Sequence, residues 1–411
     1  MNILLVHQNF PGQFKHLAPA LQARGHKVVA MAMAGGKTAD AGGLEVVRSK
    51  PRCGSAPGLH PWVVDLEAKI IRGEASFRSA MKLRKAGFNP DVIVAHPGWG
   101  ESMFLKEVWP RAKMGIYCEF FYQADGADTG FDPEFPVKDI EGDSCRLHLK
   151  NVNNFLHFEV ADAGLSPTQW QASTFPQPFR SRISVIHDGI DTRVVKPDAN
   201  ARLELQGKAM LTRDSEIITF VNRNLEPYRG YHVFMRALPE ILRRRPNAKV
   251  MIVGANGVSY GAAAPAGKTW RDIYLAEVQE RIDLSRVHFL GNIPYGQFLA
   301  LLQLSTVHVY HTYPFVLSWS LLEAMSTGCA IVASDTQPLH EAIHHGETGR
   351  LVPFFDIAKL TDEVCSLLDD PAERARLGAN ARAHAVATYD LRSICLPRQL
   401  SWVDNLASLA N

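Results

Sequence analysis

"NILLVHQNFPGQFKHLAPALQARGHKVVAMAM" (residues 2–33) decides the fold. It opens on a short apolar run, "NILLV", which breaks into a polar loop, "HQNFPGQF". A segment with Leu17 and Leu21 at helical spacing follows, with Gly25 placed as a C-cap. A second apolar run, "KVVAMAM", closes the unit. Strand, loop, helix, strand is a βαβ unit. The two strands are continuously apolar instead of alternating, which suits strands covered on both faces of a parallel sheet.

The pattern continues through "PDVIVAHPGWG" (90–100) and "KMGIYCEF" (113–120), then restarts with "EIITFV" (216–221), "AKVMIVGANG" (248–257), "RVHFLGNIP" (286–294), "VHVYHTYP" (307–314), "CAIVASDT" (329–336) and "GRLVPF" (349–354). Helical stretches such as "YHVFMRALPEILRRRP" separate several of them. The fold class is therefore α/β: two doubly wound, Rossmann-like domains facing across a cleft, spanning 1–180 and 181–390. A closing helix, 391–411, with Leu396, Leu400, Val403 and Leu406 on one stripe, is expected to pack back onto the first domain. The Gly, Asp and Pro of "SRISVIHDGIDTRVVKPD" (181–198) read as a linker.

The chain has 411 residues, with a net charge of +2 from 44 basic and 42 acidic residues, so no nucleic-acid partner is indicated. Hydrophobic residues make up 46% and charged residues 21%, enough apolar matter for real cores. The six cysteines form no C-x-x-C pair and read as reduced thiols of a cytoplasmic protein. The opening apolar run is too short for a secretory signal, and no stretch is long enough to span a membrane. The basic segment 66–87 reads first as a solvated helix face and second as a peripheral membrane contact.

Two motifs mislead. "PLHEAIHHGETG" (338–349) contains H-E-x-x-H at His340, Glu341 and His344, with Glu363 as a conceivable third ligand. A zinc protease needs both histidines on one long helix, and here His345 and Gly346 end it at once. The segment is expected to be a short helix after a parallel strand, beginning at Glu341, with no metal. "GAAAPAGKT" (261–269) has five residues between its glycines, where a phosphate-binding loop has four, and reads as an open loop.

Other motifs carry chemistry. Arg223 and Arg229 flank the loop "NRNLEPYRG" after a strand, where two guanidiniums could grip a diphosphate. Ser318 and Ser320 precede a helix, and Glu323 on its first or second turn could accept from ribose hydroxyls. His96, just past "DVIVA", could donate to a sugar hydroxyl. Gly12 would let the backbone approach a ligand or open the first helix.

"VIHDGIDT", "NRNLEPYRG", "VHFLGNIPYGQF", "LLEAMSTGCAIVASD" and "HEAIHHGETGRLV" together resemble, in the same order, the family 4 (group 1) retaining glycosyltransferases of GT-B architecture. The resemblance covers nearly the whole chain. It implies an acceptor-side first domain and a nucleotide-sugar-binding second domain. Arg223 and Arg229 would hold the donor diphosphate and Glu323 the ribose. The amides of Leu317 and Ser318 would contact phosphate or sugar, and Gly291 and Asn292 would lie near the base. His96 would sit beside the donor sugar and Gly12 in the loop after the first strand. The catalytic set is then His96, Arg223 and Arg229, with no cofactor and no metal, the nucleotide diphosphate-sugar being substrate. The acceptor (a saccharide, a lipid-linked sugar or a small molecule) has no readable code, although loops 50–62 and 119–145 should choose it. One departure stands out: the family's Glu-x7-Glu would put a glutamate at 315, which is Phe315. A nucleotide-sugar epimerase and a non-catalytic nucleotide-sugar-binding partner are the alternatives.

Overall fold

The computed structural model describes residues 1–35, 43–137, 139–205 and 209–409. Residue 138 of the loop 119–145 and residues 410 and 411 of the tail lie outside the described residues. The chain divides into two units, Met1–Asp188 with Arg392–Asn411, and Gly189–Leu391.

The first unit is built on a parallel sheet of seven strands: β1 (Asn2–Val6), β2 (Lys27–Met33), β3 (Glu45–Ser49), β4 (Val92–Ala95), β5 (Lys113–Tyr117), β6 (Ala163–Ser166) and β7 (Ile183–Val185). Their order is β3-β2-β1-β4-β5-β6-β7. The apolar runs are explained by the pleat. Ile3 and Leu5 of β1 enter one core with Val28 and Ala30, while Leu4 and Val6 enter the other with Val29 and Met31. Both faces are covered, so successive residues are all apolar although they point opposite ways.

The tail returns to this unit. Helix Leu396–Ser408 places Leu400, Trp402, Val403 and Leu406 in the core shared with Ile3 and Leu5. Burying its three aliphatic side chains is worth roughly 5–9 kcal/mol before the entropy of ordering the helix is subtracted. A Cβ on Gly115 of β5 would overlap the Trp402 ring, so a glycine in the strand admits the tail. The linker reading of 181–198 is corrected at its start, because Ile183–Val185 is the edge strand β7, paired with β6 from Gly164 to Ser166. Three residues are too few to give a periodicity to read.

The second unit carries a small antiparallel pair, β8 (Leu203–Leu205) and β9 (Ala209–Leu211), and a six-stranded parallel sheet. The latter comprises β10 (Ile217–Asn224), β11 (Lys249–Ala255), β12 (Val287–Gly291), β13 (Val307–Tyr310), β14 (Ile331–Ser334) and β15 (Arg350–Val352). Its order, β12-β11-β10-β13-β14-β15, reverses direction between β10 and β13, as the first sheet does between β1 and β4. Such switch points leave a crevice beyond the strand carboxyl ends, where open α/β sheets take their ligands.

Among the described residues no helix is long and apolar enough to cross a membrane. The basic segment 66–87 is helix Val64–Lys85, and it turns one lysine inward. Lys69 is buried, donating to the Lys150 carbonyl at 2.7 Å and to Asn153 Oδ1 at 2.9 Å.

Candidate active site

In the first unit three adjacent strands deliver polar side chains past their carboxyl ends: His7 after β1, His96 after β4 and Glu119 after β5. His96 caps the short turn Pro97–Trp99, its Nδ1 accepting from the Gly98 N–H at 3.2 Å. That bond leaves the neutral ring's proton on Nε2. Nε2 is buried without a hydrogen bond, 3.4 Å from Glu119 Oε2. Trp99 stacks on the ring at 4.4 Å and Tyr117 at 5.5 Å. The Tyr117 hydroxyl donates to Asp188 at 2.9 Å.

A second path reaches the same carboxylate. His7 Nδ1 accepts from the Asn9 N–H at 3.0 Å, so Nε2 donates to Gln13 Oε1 at 2.7 Å. Gln13 Nε2 then donates to Glu119 Oε1 at 3.1 Å. Gly12 makes this geometry. Its φ is +48°, it opens the turn Gly12–Phe14, and a Cβ there would overlap the His7 ring. His7, Gln13, Trp99 and Glu119 were not singled out from sequence. Their signal is positional: each of His7 and Glu119 lies within two residues of the end of an apolar strand.

In the second unit the two arginines part company. Arg223, near the end of β10, is exposed and makes no hydrogen bond or ion pair among the described residues. Arg229 is buried. Its Nη1 donates to Thr312 Oγ1 at 2.7 Å, the Val316 carbonyl at 3.2 Å and the Tyr310 hydroxyl at 3.4 Å, and its guanidinium lies 5.0 Å over Tyr260. The two arginines expected to hold the diphosphate together differ in their surroundings. Arg229 fastens the segment 312–316 from within, whereas Arg223 faces solvent.

The Tyr310 hydroxyl also accepts the Ser318 N–H at 3.2 Å. This corrects the expectation that both amides are free for a ligand, because Ser318's is already engaged. Ser318 Oγ caps helix Trp319–Ser326, accepting from the Ser320 N–H at 3.3 Å. Leu317 is buried one residue earlier. Phe315 is buried too, with its ring 5.2 Å from Tyr228 and 5.0 Å from Tyr260. Position 315 thus closes an aromatic cluster over the Arg229 loop instead of presenting a carboxylate.

Glu323 lies on the second turn of the same helix, and its Oε1 accepts from the Tyr295 hydroxyl at 2.8 Å. Tyr295 begins helix Tyr295–Leu304, directly after the turn holding Gly291 (φ +64°) and exposed Asn292. The predicted base-side pair and the predicted ribose-side carboxylate are therefore joined through one phenol.

The H-E-x-x-H stretch forms no α-helix, which corrects the expected short helix at Glu341. A 3-10 turn, Gln337–Leu339, precedes it, His340 Nε2 lies 2.7 Å from Asp335 Oδ1, and His344 is exposed beside His384 at 5.0 Å. Among the described residues no three His, Cys, Asp or Glu side chains cluster as a metal site. The stretch 261–269 is a loop.

Four buried histidines are neutral in the fold. Burial lowers His7 to about 3, with His96 nearby adding to the effect, and burial lowers His187 to about 4, His308 to about 4 and His311 to about 3, all from 6.5. The unfolded chain binds protons at these sites below pH 6.5 while the folded chain does not, so stability falls as pH falls from 6.5 toward 4. Each histidine is expected to cost up to about 1.4 kcal/mol per pH unit over that window. Urea unfolding at pH 7 and pH 5 measures this, and His311→Leu should flatten the dependence by one histidine's share.

The family follows from comparison with known proteins. Residues 24–195 match the profile "Glycosyl transferase family 4 group" and residues 204–384 match "Glycosyl transferases group 1". The chain belongs to the group 1, family 4 glycosyltransferases. It is 26% identical to glycogen synthase of Mycobacterium tuberculosis over 96% of this chain and 92% of that one. It is 30% identical to D-inositol 3-phosphate glycosyltransferase of Corynebacterium efficiens over 50% of this chain, spanning about half (47%) of that relative's length. Sucrose-phosphate synthase from Thermosynechococcus elongatus has a similar structure, with TM-score 0.74 at 18% identity over 100% of both chains. So does Anabaena Alr3699/HepE in complex with UDP-glucose, with TM-score 0.68 at 16% identity over 100% of both. At these identities the structures speak for the GT-B fold.

Proposed function

We propose that the protein transfers a sugar from a nucleotide diphosphate-sugar to an acceptor hydroxyl with retention of anomeric configuration. The observation that carries this is Arg223: an exposed guanidinium, unpartnered among the described residues, at the carboxyl end of β10, beside the switch point of the second sheet. The nucleotide-sugar complex of the Anabaena neighbour supports the donor class. In this reading the bond from the anomeric carbon to the diphosphate breaks, and the leaving charge falls on Arg223 without a metal. The acceptor oxygen bonds to the same carbon on the same face and passes its proton to the departing phosphate oxygen. His96 offers its Nε2 proton to a sugar hydroxyl, with Glu119 holding the ring's polarity. Glu323, shared with Tyr295, takes the ribose hydroxyls, beside Gly291 and Asn292 at the base.

Thermal shift with UDP-, GDP- and ADP-sugars identifies the donor, since a ligand bound only by the folded state raises stability. Arg223→Ala is then expected to lower turnover about a hundredfold at an unchanged melting temperature. Wild-type turnover in that variant would remove Arg223 from the site, and turnover lost in EDTA would restore a metal.

A further inference from the structure

A pocket of about 560 Å3 opens in the first unit beyond the carboxyl ends of β1, β2 and β3. The volume is that of a small-molecule site. Gln8 and Asn9 form one wall, Gly35 and Ser55 lie on the loops after β2 and β3, and Arg72 of helix Val64–Lys85 forms another. Among the described residues two of its polar groups lack partners. Gln8 Oε1 is buried and accepts no hydrogen bond from them. Arg72 uses only Nε, which donates to the Trp99 carbonyl at 2.7 Å, so among the described residues both terminal nitrogens are unengaged. Arg72 is also the one charged side chain among the described residues lining the pocket.

The nearest countercharge is weak. The Glu101 carboxylate lies 3.9 Å from Arg72 Nε, deep in the protein, with neither oxygen hydrogen-bonded. Burial pushes it up to about 7, against the pull of Arg72 and His96, so near neutral pH much of it is uncharged. The pocket therefore keeps a net positive charge, presented as a two-pronged donor matched to carboxylate or phosphate geometry. Gln8 lines another part of the pocket. Arg72 is also tied to the reaction residues, because the Trp99 whose carbonyl it holds stacks on His96.

We propose that this pocket binds the acceptor, and that the acceptor is a small hydroxylated molecule carrying a phosphate or carboxylate group gripped by the two terminal nitrogens of Arg72. The proposal rests on the transferase reading for the word acceptor, but the binding chemistry belongs to this unit alone.

Calorimetry on the full chain with inorganic phosphate, glucose 6-phosphate, glucuronate and glucose tests it. Glucose 6-phosphate or glucuronate should bind at least about tenfold more tightly than glucose, and whichever anion wins identifies the group. Arg72→Gln should erase that preference, and Arg72→Lys should retain part of it. Thermal melts of each variant separate lost binding from lost fold. Equal affinity for charged and neutral probes, or an anion preference that survives in a folded Arg72→Gln protein, overturns the proposal. UDP-glucose titrated in parallel against Arg223→Ala reads the other unit. Anion binding that depends on Arg72 without any sugar-nucleotide binding would leave this site standing and sink the transferase reading.

Discussion

The Arg229→Ala variant is expected to lose both turnover and stability, turnover by about a hundredfold or more. Its guanidinium bonds the Thr312 hydroxyl, the Val316 carbonyl and the Tyr310 hydroxyl inside the protein. Truncation leaves these buried groups without that donor and opens a void, a loss of roughly 3–4 kcal/mol. The segment from 312 to 318 ends at the N-cap of the helix that carries Glu323, so a loosened segment also misplaces the carboxylate proposed for the ribose. The two arginines thus separate experimentally. Arg223→Ala should change turnover alone, whereas Arg229→Ala should lower the melting temperature as well, with Arg229→Lys recovering part of each. An Arg229→Ala protein as stable as the parent would show that 312–318 holds its shape without the guanidinium.

Gly12→Ala is expected to destabilise the first unit by about 2–3 kcal/mol. A left-handed φ of +48° disfavours any side chain, by about 1–2 kcal/mol, and the new Cβ overlaps the His7 imidazole. The ring must move off Gln13, which then releases Glu119, and the partner of His96 is no longer fixed. Turnover should fall with stability. Denaturant titration of the single and double variants decides the cause. Combining Gly12→Ala with His7→Ala should cost less than the sum of the two, because removing the ring removes the overlap. Strict additivity would place the damage in the backbone alone.

Much of this was legible because parallel strands covered on both faces leave unbroken apolar runs, as at "NILLV", "VIVA" and "IITFV". The residues just past those runs, His96 and Arg223 among them, were legible as candidates for the same reason. What stayed hidden depends on pairs far apart in sequence. Gln13 meets Glu119 across 106 positions and Tyr295 meets Glu323 across 28, and no local period records either. Arg229 was legible as a charged residue at a strand end but not as a buried one, because its burial is set by Tyr260, Phe315 and Thr312 together. The H-E-x-x-H letters promised a helix that the backbone does not form. Ile343 and Ala342 are core residues that pull the chain inward, and Thr348 Oγ1 takes the His344 N–H at 2.8 Å.

Under the Arg229 loop, the buried Glu226 carboxylate accepts the backbone N–H groups of Ser259, Tyr260 and Gly261 at 3.1–3.3 Å. Among the described residues it grips main chain alone. The clasp is therefore indifferent to side chains that make no contact of their own: Tyr260 is needed for its ring against Arg229, whereas the alanines and proline of 262–266 can change while the arch keeps its seat.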